Sequence, residues 1–381
     1  MDRQTKSASG AAREGRVAGL DVLRAVAILA VLAMHVANRE ATGHGWPLPA
    51  WSRSLGYFGV ELFFILSGFL IGRILIGIAA ASPGPRDWAI FLVRRWMRTL
   101  PLYFLWLVLL LAVTPPPDFL PTAALYLTFT QNLFWPVPGE WFSVSWSLAV
   151  EEWFYLLFSI TLLGLAAARV RGALLWSSLL FVTLPLAARI FLIAPDAPFD
   201  TGMRQIALAR LDAIAFGVLM AWATLRAPAL LAKWQRPLFL CGCALLFLPA
   251  DLVALFGDAT AFNAFRPYLF SLTSLGFALW IPAALNLPVT SAWFGMGVRW
   301  VSDRSYCLYI VHLSIIDFVW DGAARFHLPL LLCTPVALAA AAGLAELSFR
   351  YLETPILRRR PRQPAPKVAA AATARNAVPA A

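Results

Sequence analysis

Arg24 and His35 stand eleven positions apart in one apolar run, GLDVLRAVAILAVLAMHVANRE. On a helix, eleven steps of about 100° close three turns with roughly 20° left over, so both side chains share a face about 16 Å apart along the axis. An imidazole exchanges protons near neutrality, whereas a guanidinium keeps its charge. Each costs several kcal/mol inside hydrocarbon, which makes an aligned ionisable pair a functional-site candidate. The competing reading makes Arg24 a cytoplasmic helix-end anchor and His35 a packing residue.

Further polar residues interrupt the apolar stretches. GVELFFILSGFL carries Glu61, expected near a wet lumenal end, and Ser67. WSLAVEEWFY carries Trp146, Glu151 and Glu152. The adjacent carboxylates point about 100° apart, so one faces the interior with ease and the other reaches an aqueous cavity or a cation. Glu151 either pairs with an arginine to lock helices or orients His35. In FLVRRWMRTLPLYF, Arg95 and Arg98 are helical neighbours with Arg94 to one side, just before the third span. They anchor lipid headgroups or grip the phosphates of a nucleotide-bearing cofactor, at the membrane level of Arg24. His312 in SYCLYIVHLS is the second intramembrane histidine; His44 and His327 read as solvated loop residues.

The elements that must position these groups are membrane helices. Of 381 residues 60% are hydrophobic and 13% charged, and the mean hydropathy is +0.72, outside the range of a soluble domain. Ten segments have the length to cross about 30 Å of hydrocarbon: 19–38, 57–78, 97–113, 146–167, 174–194, 206–225, 237–256, 267–285, 304–321 and 329–350. The expectation is an all-α polytopic bundle of about ten spans. The Pro-bounded stretch 120–135 reads as a lumenal helix or re-entrant piece. Basic residues gather on alternate connections, and 114–145 has none, only Asp118 and Glu140. The positive-inside rule then puts both termini in the cytoplasm. The net charge of +11 reports topology and not nucleic-acid binding.

Residues 1–18 and 361–381 read as disordered and without chemistry, with 358–381 a basic then Ala/Pro-rich cytoplasmic tail, leaving 19–357 as the membrane domain. The first span lacks a small-residue cleavage site and is expected to remain as a helix. Cys241, Cys243, Cys307 and Cys333 all fall in spans and suggest neither a disulfide framework nor a zinc site, so no metal is expected. There is no phosphate loop, nucleophile elbow or internal repeat.

Arginines at the cytoplasmic face with a histidine about three turns deeper suit transfer of an acyl group from a cytoplasmic thioester such as acetyl-CoA. Neutral His35 would take the proton of an acceptor hydroxyl attacking the thioester carbonyl, or become acylated itself. Here the motifs resemble the acyltransferase 3 family of integral-membrane acyltransferases. Its Arg, ten residues, His hallmark is matched by Arg24 and His35, its second-helix motif by GVELFFILSGFLIG, and its Arg-x-x-Arg segment by Arg95 and Arg98. WSLAVEEWFY, RLDAIAFG, SYCLYIVH and YLETP follow in the family's order.

The resemblance covers about 18–357 and implies transfer of acetyl or another acyl group from acyl-CoA to a hydroxyl of a surface glycan, peptidoglycan, a lipid-linked sugar or an antibiotic. It implies a bacterial inner-membrane protein with the lipid bilayer as surroundings. His35 carries over as the catalytic histidine, Glu151 as the acidic residue, and Arg24, Arg95 and Arg98 as donor-site residues. Asp21, Glu61, Ser67, Trp146, Glu152 and His312 are further candidates. The family more often has Asp where Glu61 stands. Some members append a soluble esterase-like domain, and this chain ends about 30 residues after its tenth span, so the membrane domain or a partner must complete the transfer. The alternative class is a transporter or flippase of a sugar or anionic solute, which intramembrane charge and a basic entry face also suit.

Overall fold

A computed structural model describes residues 16–362 apart from 49, 82, 138–140, 195, 257–258 and 289–290. Most of the two predicted tails, and Glu140, therefore lie outside the described residues. Every regular element among the described residues is helical. The principal helices are α1 (Ala18–His44), α2 (Ala50–Ala79), α3 (Pro85–Val113), α4 (Phe119–Leu127), α5 (Trp146–Ala167), α6 (Ala173–Phe191) and α7 (Leu211–Arg226). They are followed by α8 (Pro228–Phe256), α9 (Ala259–Ala278), α10 (Ile281–Leu285), α11 (Ala292–Arg325), α12 (Cys333–Ser348) and α13 (Thr354–Arg358).

Nine helical segments among the described residues are long and apolar enough to cross a membrane. Leu105, Val108 and Leu109 on α3 and Leu179 and Leu184 on α6 are exposed, an apolar outer surface that only lipid would cover. The predicted span 206–225 differs from the rest. Its helix α7 has 16 residues, about 24 Å of rise, and is preceded by a π-turn at Asp200–Arg204 and a 3-10 turn at Ala207–Ala209. Irregular backbone is tolerated at membrane depth only where protein covers it. That holds here: Arg210 and Asp212 are fully buried, Arg210 is paired with Glu61, and Arg189 grips Asp212 in a fork of 3.0 and 2.7 Å. Ser274 and Ser271 complete the two carboxylates at 3.1 and 2.6 Å.

This corrects the expectation of a wet Glu61. It has no exposed surface and acts as a buried counter-ion for Arg210, whose guanidinium also lies 4.0 Å over the Phe270 ring. Near that pair α2 and α7 approach at backbone distance. A Cβ on Gly68 would lie 2.0 Å from the Ile214 carbonyl oxygen, and one on Gly217 would lie 2.4 Å from that of Ile65. Small residues permit this closeness where no hydrophobic effect drives helices together in lipid. The stretch 120–135 contains the nine-residue helix α4, then turns held by buried Asn132, whose amide donates to the Trp146 carbonyl at 3.1 Å.

Several helices run further than expected. α3 begins at Pro85, so Arg94 and Arg95, like Arg98, lie within it and not ahead of it. α11 begins twelve residues before 304 and is 34 residues long.

Candidate active site

His35 and His312 meet where α1 crosses α11. His312 Nε2 lies 3.1 Å from His35 Nδ1, with ring centroids 4.9 Å apart. His312 Nδ1 faces the carbonyls of Leu308 and Tyr309 at 3.0 and 2.9 Å. Carbonyls only accept, so His312 Nδ1 carries its proton, and Nε2 of the neutral ring is a bare acceptor. His35 Nδ1 faces that acceptor and the Val31 carbonyl at 3.0 Å, so it too carries a proton. The remaining nitrogen, His35 Nε2, is then unprotonated in the neutral pair. An aligned base with its second nitrogen held by an acceptor is the arrangement that proton abstraction requires.

A cavity of about 950 Å³ lies to one side of this pair. Its wall includes Arg24, Arg95 and Arg98, three residues from two helices that the sequence grouped by membrane level alone. Seven arginines line it against four carboxylates, an excess of positive charge suited to a phosphorylated ligand. Asp21 fixes the α1 side: it is buried and accepts from Arg16, from Arg24 Nη1 at 3.1 Å and from Ser302 Oγ at 2.8 Å. The Asp21 bond holds the Arg16 guanidinium above its ordinary pKa. Arg98 Nη1 meets Glu353 at 3.0 Å. Arg16, from the N-terminal tail, and Arg358 and Arg360, from the basic stretch after the membrane domain, also belong to the cavity wall.

Ser147 and Tyr309 close the other end of the cavity, their hydroxyls 2.7 Å apart. Tyr309 is also the residue whose carbonyl accepts from His312. One residue therefore separates and connects the cavity and the histidine pair, neither member of which lines the cavity. Sequence reasoning missed Ser147 and Tyr309. The signal was present in the motifs WSLAVEEWFY and SYCLYIVH, where Tyr309 precedes His312 by nearly one turn.

Glu151 does not join His35. It sits one turn along α5 from Ser147, in the cavity wall, where its carboxylate neighbours Tyr155, Ser67 and Arg95. Ser67 and Tyr155 exchange a hydrogen bond of 2.7 Å. The adjacent Glu152 points away and accepts from Thr99 Oγ1 at 2.7 Å, as the 100° offset requires. Trp146 lies beyond the cavity end, edge-on to Phe64 at 5.9 Å and beneath the Arg204 guanidinium at 4.6 Å. His44 is not loose: it ends α1 and stacks on Trp46 at 4.4 Å. Among the described residues no three His, Cys, Asp or Glu gather to hold a metal ion.

Residues 17–346 match the family described as an acyltransferase domain, Acyl_transf_3. The chain is 27% identical over 396 residues to the peptidoglycan O-acetyltransferase OatA of Listeria monocytogenes, covering 89% of this chain and 56% of that protein. It is 26% identical over 379 residues to a putative O-acetyltransferase of Staphylococcus aureus, covering 89% and 57%. The putative peptidoglycan O-acetyltransferase YrhL of Bacillus subtilis is 26% identical over 382 residues, covering 89% and 55%. The chain thus spans little more than half the length of these relatives. No solved structure matches it. Because the family match takes in the helices from α1 through most of α12, both histidines and most of the cavity wall, the chain belongs to the acyltransferase 3 family.

Proposed function

We propose that the chain moves an acyl group, acetyl in the simplest case, from acyl-CoA to a hydroxyl of a cell-envelope glycan. The observation that carries this reading is the His35–His312 contact of 3.1 Å, which leaves His35 Nε2 as the bare nitrogen of a pair joined through Tyr309 to an arginine-lined cavity. The relatives' names, two of which specify peptidoglycan, support a glycan acceptor. The membrane domain at 19–357 is the unit that performs the transfer, in the bacterial inner membrane, with both termini and the cavity mouth cytoplasmic as the arginine distribution supports.

The donor's diphosphate lies along the cavity wall, where Arg24, Arg95 and Arg98 offer charge-assisted hydrogen bonds. The thioester reaches the end near Ser147 and Tyr309, whose hydroxyls bond one another at 2.7 Å and face the Val144 carbonyl at 3.3 and 3.2 Å; one of them turns its proton from Val144 to the carbonyl oxygen as negative charge develops. The acceptor hydroxyl gives its proton to His35 Nε2, and its oxygen attacks the thioester carbon. The tetrahedral intermediate collapses, the carbon–sulfur bond breaks, and the thiolate takes the proton from the imidazolium. His312 is a positioning residue: through Nε2 it accepts from His35 Nδ1–H, and that bond strengthens when His35 is charged. Asp21 holds Arg24, and Glu151 faces Arg95, so both carboxylates pre-set the donor site.

The test is purified protein supplied with acetyl-labelled acetyl-CoA and peptidoglycan fragments. Labelled ester on the glycan and free CoA, both absent with His35→Ala, are expected. Movement of a glycan or anion across the membrane by the wild type, with no ester formed, would overturn the reading in favour of a transporter.

A further inference from the structure

The family match stops at residue 346, yet the chain beyond it builds part of the cavity. A π-turn at Phe349–Glu353 follows α12 and brings Glu353 against α11 and α3, where it accepts from Cys307 Sγ at 3.2 Å and Arg98 Nη1 at 3.0 Å. The short helix α13 then runs on, and Arg94 Nη1 donates to the Pro361 carbonyl. Arg94 lies four residues before Arg98 on α3, about 6 Å of rise, so Pro361 is held one turn further from the cavity's inner end than Glu353 is. Arg358 and Arg360 line the cavity and come just before Pro361 in the chain, which puts them toward its mouth.

The charges there are unbalanced. Glu353 is engaged with Arg98, while Arg360 donates only its Nε to a backbone carbonyl, that of Leu357 at 3.2 Å, among the described residues. Arg360 is partly buried, and burial together with the Arg94 and Arg98 guanidinia lowers its pKa. Guanidinia crowded in this way are relieved by a doubly charged anion.

We propose that Arg360, with Arg358 and Arg98, forms the outer clamp of the donor site and binds a terminal phosphomonoester, the ribose 3′-phosphate of coenzyme A. This rests on the reading of the cavity as an acyl-CoA site. When the thioester lies at the inner end, the diphosphate falls among the inner arginines and the nucleoside with its 3′-phosphate comes last, at the mouth. A phosphomonoester carries nearly two charges at neutral pH, against one on each phosphate of the diphosphate, and it belongs where unpaired guanidinia are densest. Arg94 is a positioning residue, since it holds the segment and does not line the cavity.

The test compares equilibrium binding of CoA and of 3′-dephospho-CoA to the full chain in nanodiscs, for the wild type, Arg360→Gln and the exposed neighbour Arg359→Gln. The wild type is expected to prefer CoA. Arg360→Gln should weaken CoA binding about ten- to a hundredfold, the factor for losing a hydrogen bond to a charged group. Its affinity for 3′-dephospho-CoA should stay unchanged, which also reports a folded site, and Arg359→Gln should behave as the wild type does. Equal weakening of both ligands by Arg360→Gln, no weakening of either, or an equal effect from Arg359→Gln would overturn the clamp. If the wild type binds neither ligand saturably, the acyl-CoA reading itself fails.

Discussion

Replacing His312 by phenylalanine removes the acceptor that faces His35 Nδ1–H at 3.1 Å and leaves the rest of His35's surroundings in place. The loss is felt when His35 becomes an imidazolium, because a hydrogen bond to a charged group contributes about 1.5–3 kcal/mol, or roughly 10- to 150-fold in rate. The Val31 carbonyl, 3.0 Å from the same nitrogen, still accepts after the substitution and keeps the tautomer. The expected loss therefore lies near the lower end, about tenfold in kcat, with the donor KM little changed because His312 does not line the cavity. Removing the base itself by His35→Ala should cost about 10²–10⁴. In the doubly substituted protein the His312 change should add nothing, since the interaction it completes is gone. The assay is steady-state thiol release with saturating glycan acceptor. A His312→Phe protein with the wild-type kcat, or one that loses activity further on a His35→Ala background, would refute the pairing.

Arg95→Ala should raise the donor KM more than it lowers kcat, because its role is to hold the donor and not the reacting atoms; a fall in kcat alone, read from initial rates over a range of acetyl-CoA, would contradict this. Gly68→Ala should destabilise the bundle by about 1–3 kcal/mol, since the new Cβ meets the Ile214 carbonyl at 2.0 Å, and thermal unfolding in detergent should show a lowered midpoint.

The elements were legible because each membrane helix advertises itself through a long apolar run, and Arg24 and His35 could be aligned because they share α1. What could not be read was the register of one helix against another. Glu151 was weighed as a partner of His35, but α5 meets the cavity end at Ser147, and one turn further the Glu151 carboxylate faces Arg95 instead. The partner of His35 came from α11, 277 positions away along the chain, and no spacing rule reaches that far. Glu61 was expected to be wet from its position near a helix end. Arg210, on the irregular backbone before α7, pairs with it in the interior. The C-terminal arginines read from the sequence only as a basic cytoplasmic stretch, whereas after the π-turn at Phe349–Glu353 Arg358 and Arg360 line the cavity.

The most direct test of the account places the protein in sealed vesicles of both orientations with labelled acetyl-CoA outside, wild type beside His35→Ala. Histidine-dependent acyl transfer is expected only when the face bearing Arg95, Arg98 and Arg360 is outside. Transfer from the opposite face, or transfer that survives the loss of His35, would contradict it.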